Sequence, residues 1–193
     1  AEPWSRVSLR LISNSAARVA ALLSGAVDMI DSVPTAQIAR LRQEPRLEVF
    51  SVTSNRVINL MLDHAREPTP FALATPTGQP LPRNPLRDVK VRRALSMAIN
   101  RAALCERVME GQAVPAGQVL PDGFFGTIPG VGAPHFDADA ARALLAEAGY
   151  PNGFRMTLHG PNDRYVNDGQ IIQAVAQMWT RVGVDTQVEA ITW

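Results

Sequence analysis

Residues 137–192 read DADAARALLAEAGYPNGFRMTLHGPNDRYVNDGQIIQAVAQMWTRVGVDTQVEAIT. Asp137 offers a helix N-cap, because its carboxylate can accept an orphan backbone N–H. Ala141, Leu144, Leu145 and Ala148 then recur on one face, and Gly149 stops the run. After the turn YPNG, FRMTLHG at 154–160 has the character of a strand. The loop PNDRYV follows. Asn167 and Gln170 form a capping-box-like pair for a helix through Val182. Trp179 shares a face with Ile172, Val175 and Ala176, the spacing of a core stripe. Gly183 closes that helix, and VDTQVEAIT alternates as a last strand. The opening third of the chain reads as strand, helix, strand, helix, strand, strand, the pattern of an α/β layered fold.

Working outward, Asp88 caps an amphipathic helix, DVKVRRALSMAI, and Asn100 caps a second, RAALCERVME. Residues 111–136 hold six glycines and four prolines, an irregular excursion. Residues 68–85 hold six prolines, which excludes a helix or a central strand there. Nearer the start, RVSLRLI at 6–12 places Val7, Leu9 and Leu11 on one face, the period of a half-buried strand. Asn14 and Ser15 offer caps for a helix that stops at Gly25. VDMIDSV at 27–33, LEVFSVT at 47–53 and VINLMLD at 57–63 read as further strands. A short helix opens at Pro34 and Thr35 and closes near Glu44 and Pro45.

The chain has 193 residues, 46% of them hydrophobic, enough for a packed core. Nineteen basic side chains face eighteen acidic ones. That balance argues against a nucleic-acid partner, which needs a clear cationic excess. Cys105 is the single cysteine, so no disulfide forms within the chain. No apolar run is long enough for a membrane span. The start, AEPWSRVSLRL, has no export-signal pattern, so the protein either stays inside or a signal precedes it.

Chemistry is sparse. The only lysine, Lys90, lies mid-helix, so no phosphate loop is present. No G-x-S-x-G nucleophile elbow occurs. His64, His135 and His159 lack ligand spacing, and no metal or cofactor is expected. Asp28 with Asp31 flanks a turn, and Asp137 with Asp139 suits a helix N-terminus. Cys105 reads as a small buried hydrophobe. The polar loop between the strand at 154–160 and the next helix is the best candidate site, because loops there commonly carry ligands in α/β layers. It offers Asn162, Asp163, Arg164 and Tyr165. A guanidinium pairs with a carboxylate through two parallel hydrogen bonds. A merely solvated loop is the alternative.

Several of these segments together resemble the extracellular solute-binding proteins of peptide and nickel ABC importers. The resemblance runs through ARVAALLSGAVDMIDSVP, DVKVRRALSMAINRAAL, GQAVPAGQVLPDGFFG, FDADAARALLAEAGYPNGF and AQMWTRVGVDTQVE. Arg93, Ala94, Ala98, Ile99, Asn100 and Arg101 fall on the family's helix-pair pattern. The resemblance implies an internal fragment of a two-lobed periplasmic-binding-protein fold (class II type), with mixed sheets flanked by helices. Residues 1–56 would be a returning part of the first lobe and 57–85 the inter-lobe crossing with its Pro-rich loop. Residues 86–193 would begin the second lobe. It implies no catalysis and no cofactor. The expected role is capture of a peptide or peptide-like solute in the periplasm, for delivery to the transmembrane subunits of an ABC permease. Arg164 would meet the solute's carboxylate, with Tyr165 and Asn162 beside it. An α/β hydrolase-like enzyme and a non-transport binding protein on the same scaffold are the alternatives. Exposed strand edges would make the isolated chain self-associate.

Overall fold

Asp137 does cap its helix: its carboxylate accepts the Ala140 N–H at 2.9 Å. The same device starts three other helices. Asn14 accepts from Ala17 N–H, Asp88 from Lys90 N–H and Asn100 from Ala103 N–H. A computed structural model describes residues 4–67 and 73–192. It divides into two units, Ala1–Phe50 and Ser51–Trp193.

The first unit holds α1 (Ser15–Leu23) and α2 (Thr35–Leu41). Val19 and Leu41 are its buried side chains of largest apolar content. The Arg18 guanidinium donates to the carbonyls of Ile12, Ser13 and Ser32, tying the turn after α1 to the segment before it. Residues 6–12 and 27–33 are not strands here, contrary to expectation. The Ala26 and Val27 N–H groups both turn back to the Ala21 carbonyl, and Ser32 sits at φ 50°, which breaks an extended run. In 6–12 the alternation is present but no ladder partner is, and Leu11 is 101% exposed. The segments 47–53 and 57–63 are likewise unpaired. An alternating pattern reports which face could be buried, whereas a strand also needs a neighbour in register.

The second unit is a mixed sheet with helices packed on one face. β1 (Leu73–Ala74) pairs antiparallel with β2 (Phe154–Pro161), and β2 pairs parallel with β3 (Val184–Ile191), in the order β1-β2-β3. β1 falls in the Pro-rich stretch, and it stands at the sheet edge, where prolines nearby are tolerated. Pro68 and Pro70 lie outside the described residues. The helices are α3 (Val89–Met97), α4 (Arg101–Ala103) continuing into a π-helical turn at Leu104–Val108, α5 (Ala138–Glu147) and α6 (Asp168–Arg181). One face of the sheet, from Leu73, Phe154, Met156 and Val184, joins one core with Val91, Leu95, Ala141, Leu145, Val175 and Trp179. The other face carries the ion pair Arg155–Asp185 and the hydrogen bond between His159 and Glu189. Among the described residues no helix is long and apolar enough to cross a membrane.

The end of α3 determines how this core assembles. A helix leaves its last carbonyls without N–H partners. Here Trp179 Nε1–H donates to the Leu95 carbonyl at 2.9 Å. Arg101 Nη1 donates to the Ser96 carbonyl at 3.0 Å, and the Asp137 N–H donates to the Met97 carbonyl at 3.0 Å. Trp179, 1% exposed, is therefore core, as its helical spacing indicates.

The start of α6 departs from the capping-box expectation. Asn167 makes no side-chain cap and sits at φ 56°, in the left-handed region. Its amide Nδ2 instead donates to the Val108 carbonyl at 2.8 Å, pinning the start of α6 to the π-helical turn. Capping of the backbone falls to the next residue, Asp168.

Two stability predictions follow from these contacts. Trp179→Phe keeps most of the apolar volume but leaves the buried Leu95 carbonyl unpaired, so it should cost about 1–3 kcal/mol. Trp179→Ala should cost about 3–5 kcal/mol. Urea unfolding midpoints of the three proteins give the order. Asn167→Gly retains the left-handed backbone and loses the side-chain bond to Val108. Asn167→Ala loses both, and should be less stable than the glycine variant by about 1 kcal/mol. Equal thermal midpoints for the two would contradict this account.

Candidate functional site

The loop at 161–167 leaves the C-terminal end of β2 and enters α6. Parallel pairing puts that end beside the C-terminal end of β3, since Pro161 stands opposite Ile191. Strand ends of this kind are where open parallel sheets gather ligand-binding loops. Gly160 permits the strand to pass close under α6, because a Cβ there would lie 2.8 Å from Ile172 Cγ2.

The three residues singled out from the sequence have different positions in this loop. Arg164 and Tyr165 come together: the guanidinium carbon lies 5.3 Å from the centre of the Tyr165 ring. That is cation–π range, and it orients the planar fork against the aromatic face. Arg164 is exposed and Tyr165 half-buried, so the fork is presented at the surface. Asn162 is exposed and lies against the first turn of α6, with its Cβ 3.9 Å from the place a Cβ on Gly169 would take.

Sequence reasoning missed Asp168. Only 6% of it is exposed. Its Oδ2 accepts the N–H groups of Arg164 and Tyr165, each at 2.9 Å. Its Oδ1 accepts the Gly169 N–H at 2.8 Å. The available signal was an acidic residue in the first helical turn directly after a polar loop, which the pairing of Asn167 with Gln170 obscured.

Elsewhere the described residues hold little reactive chemistry. No group of three or more His, Cys, Asp or Glu side chains is gathered as a metal ion would need, among the described residues. Cys105 lies half-buried in the π-helical turn, and burial pushes its thiol up from the ordinary value. The thiolate is the nucleophile, so this environment works against reactivity. Two shallow hollows lie away from the loop. One is lined by Gln173, Gln177, Thr180 and Thr186, the other by Glu67, Arg83, Arg87 and Tyr150.

Comparison with known proteins places this geometry. Heme-binding protein A of Haemophilus influenzae is 25% identical over 99% of this chain, which covers 32% of that protein. Glutathione-binding protein GsiB of Escherichia coli O1:K1 / APEC is 28% identical over 96% of the chain, covering 32% of the relative. Among solved structures, the ABC transporter-associated periplasmic binding protein DppA from Helicobacter pylori, in complex with the peptide STSA, superposes with a TM-score of 0.69. It is 22% identical, over 95% of this chain and 32% of that one. The chain thus spans about a third of the length of the curated relatives it matches. Its fold is a portion of the two-lobed periplasmic-binding-protein architecture. The model of bacterial extracellular solute-binding proteins, family 5 Middle, matches residues 2–193. The chain belongs to the bacterial extracellular solute-binding proteins of family 5.

Proposed function

We propose that the protein captures a peptide or peptide-like solute through the solute's carboxylate, outside the cytoplasmic membrane, and delivers it to the permease subunits of an ABC importer. The observation that carries this reading is the Arg164 fork, stacked on Tyr165 and presented at the C-terminal end of β2. The named ligands of the relatives support it. Heme on one side and glutathione and other peptides on the other share little except that each bears a carboxylate. A guanidinium meets that group with two parallel charge-assisted hydrogen bonds. Asn162 contributes a further polar edge at the mouth of the loop.

The mechanism is binding and release, without covalent chemistry. On this reading residues 1–56 are a returning part of the first lobe, 57–85 the crossing and 86–193 the first part of the second lobe of a receptor that takes up its solute by hinge closure. Apolar walls with backbone groups and bound water accept varied side chains, which broadens selectivity. The permease is the macromolecular partner.

Calorimetry on the full-length protein with dipeptides, oligopeptides, glutathione, heme and nickel chelates tests this. Arg164→Ala should weaken a carboxylate ligand by about ten- to a hundredfold, the loss of charge-assisted hydrogen bonds. Unchanged affinity in that variant would remove Arg164 from the site. The 193-residue chain by itself presents bare apolar side chains, among them Leu11, Val52, Met61 and Phe125. It should scatter light as a species heavier than its 20.9 kDa monomer. A clean monomer over the usable concentration range would be evidence against self-association.

A further inference from the structure

The loop amides and the first turn of α6 form a cradle that would suit an anion. The N–H groups of Arg164, Tyr165 and Gly169 converge on one place. Helix N-termini with such converging amides bind phosphate and sulfate in many proteins. In this protein the protein's own carboxylate already occupies the cradle. Asp168 is 94% buried by its 6% exposure, and each of its oxygens accepts backbone N–H bonds there.

We infer that Asp168 is the positioning residue of the ligand loop and assigns anion recognition to the Arg164 side chain, selecting a carboxylate over a phosphate. This rests on the carboxylate reading given above. Two physical effects combine. The hydrogen bonds to the Arg164 and Tyr165 amides fix the backbone from which both side chains project, so the stacked fork is held before the solute arrives. Preorganisation of that kind reduces the ordering cost of binding. The buried negative charge also stands where a second anion would otherwise enter. A solute with a dense, tetrahedral double charge meets repulsion and finds the amides of 164, 165 and 169 already bonded. A solute with one planar carboxylate needs only the fork, which lies outside the cradle. Asp168 touches no solute; it acts through Arg164.

The experiment uses the full-length protein with tri-alanine, tri-alanine amide and inorganic phosphate as probes, and hydrogen exchange resolved across residues 162–170. In the wild type the acid should bind about tenfold or more tightly than the amide, from the charge-assisted bonds to Arg164. Phosphate should compete with neither form. In Asp168→Ala the amides of residues 164, 165 and 169 should exchange about tenfold faster or more, and the acid-over-amide preference should collapse toward that of Arg164→Ala. Asp168→Asn keeps the shape and one acceptor oxygen. It should retain protection at 164 and 165, lose it at 169, and keep most of the preference. Partial rescue by this variant separates positioning from a general loss of packing. Unchanged exchange in Asp168→Ala overturns the inference. So does a preference kept at the wild-type value while those amides open. If the wild type binds neither peptide form, the ligand reading fails, and with it the selection argument. The exchange data then decide separately whether Asp168 orders the loop.

Discussion

The carbonyl groups at the end of α3 set the arrangement of the second unit. Leu95 and Met97 have run out of helix N–H donors and Ser96 keeps only a 3.3 Å bond from the Ile99 N–H, and burial makes an unpaired Leu95 carbonyl costly. Three unrelated parts of the chain supply the donors: the indole of α6, the guanidinium of Arg101 and the first N–H of the α5 cap. Each bond fixes one element relative to α3. The bond from Trp179 matters most for function, because α6 carries the candidate loop at its other end. A shift of α6 would move Asp168, and with it the backbone of Arg164 and Tyr165.

A second constraint acts where the two parallel strands begin. The turns before β2 and β3 pass so closely that a Cβ on Gly153 would lie 1.7 Å from the Gly183 carbonyl oxygen. Gly153 also sits at φ 69°, where side chains are strained. This close passage sets Phe154 opposite Val184, and the remaining register follows residue by residue to Pro161 and Ile191. The outer-face contacts, the Arg155–Asp185 ion pair and the His159–Glu189 hydrogen bond, agree with that register. They are substantially exposed, so they add little stability and serve mainly to disfavour other pairings.

The helices were legible because their signals are local. Asn14, Asp88, Asn100 and Asp137 each act as caps within three residues of themselves. β2 and β3 were legible for a different reason: a glycine-bounded alternation followed a strongly periodic helix. The strand expected at 6–12 rested on alternation and those at 27–33, 47–53 and 57–63 on short apolar runs, and neither signal supplies a neighbour in register. In the loop, Arg164 stood out by its chemistry. Asp168 did not, since its work is done through backbone amides, and any residue type supplies those.

The residues that carry the family resemblance turn out to build the scaffold. Ala94, Ala98 and Ile99 are buried, Asn100 caps a helix and Arg101 satisfies the end of α3. They build the core and its helix ends, and none of them lies in the candidate loop. Under the proposed reading the solute is met elsewhere, by side chains on a loop whose backbone is held from beneath. On that reading the division leaves ligand contact to Asn162, Arg164 and Tyr165 and the frame to Asn167 and Asp168. It also explains why a sequence can declare its family through its helices and leave its ligand to a few loop residues.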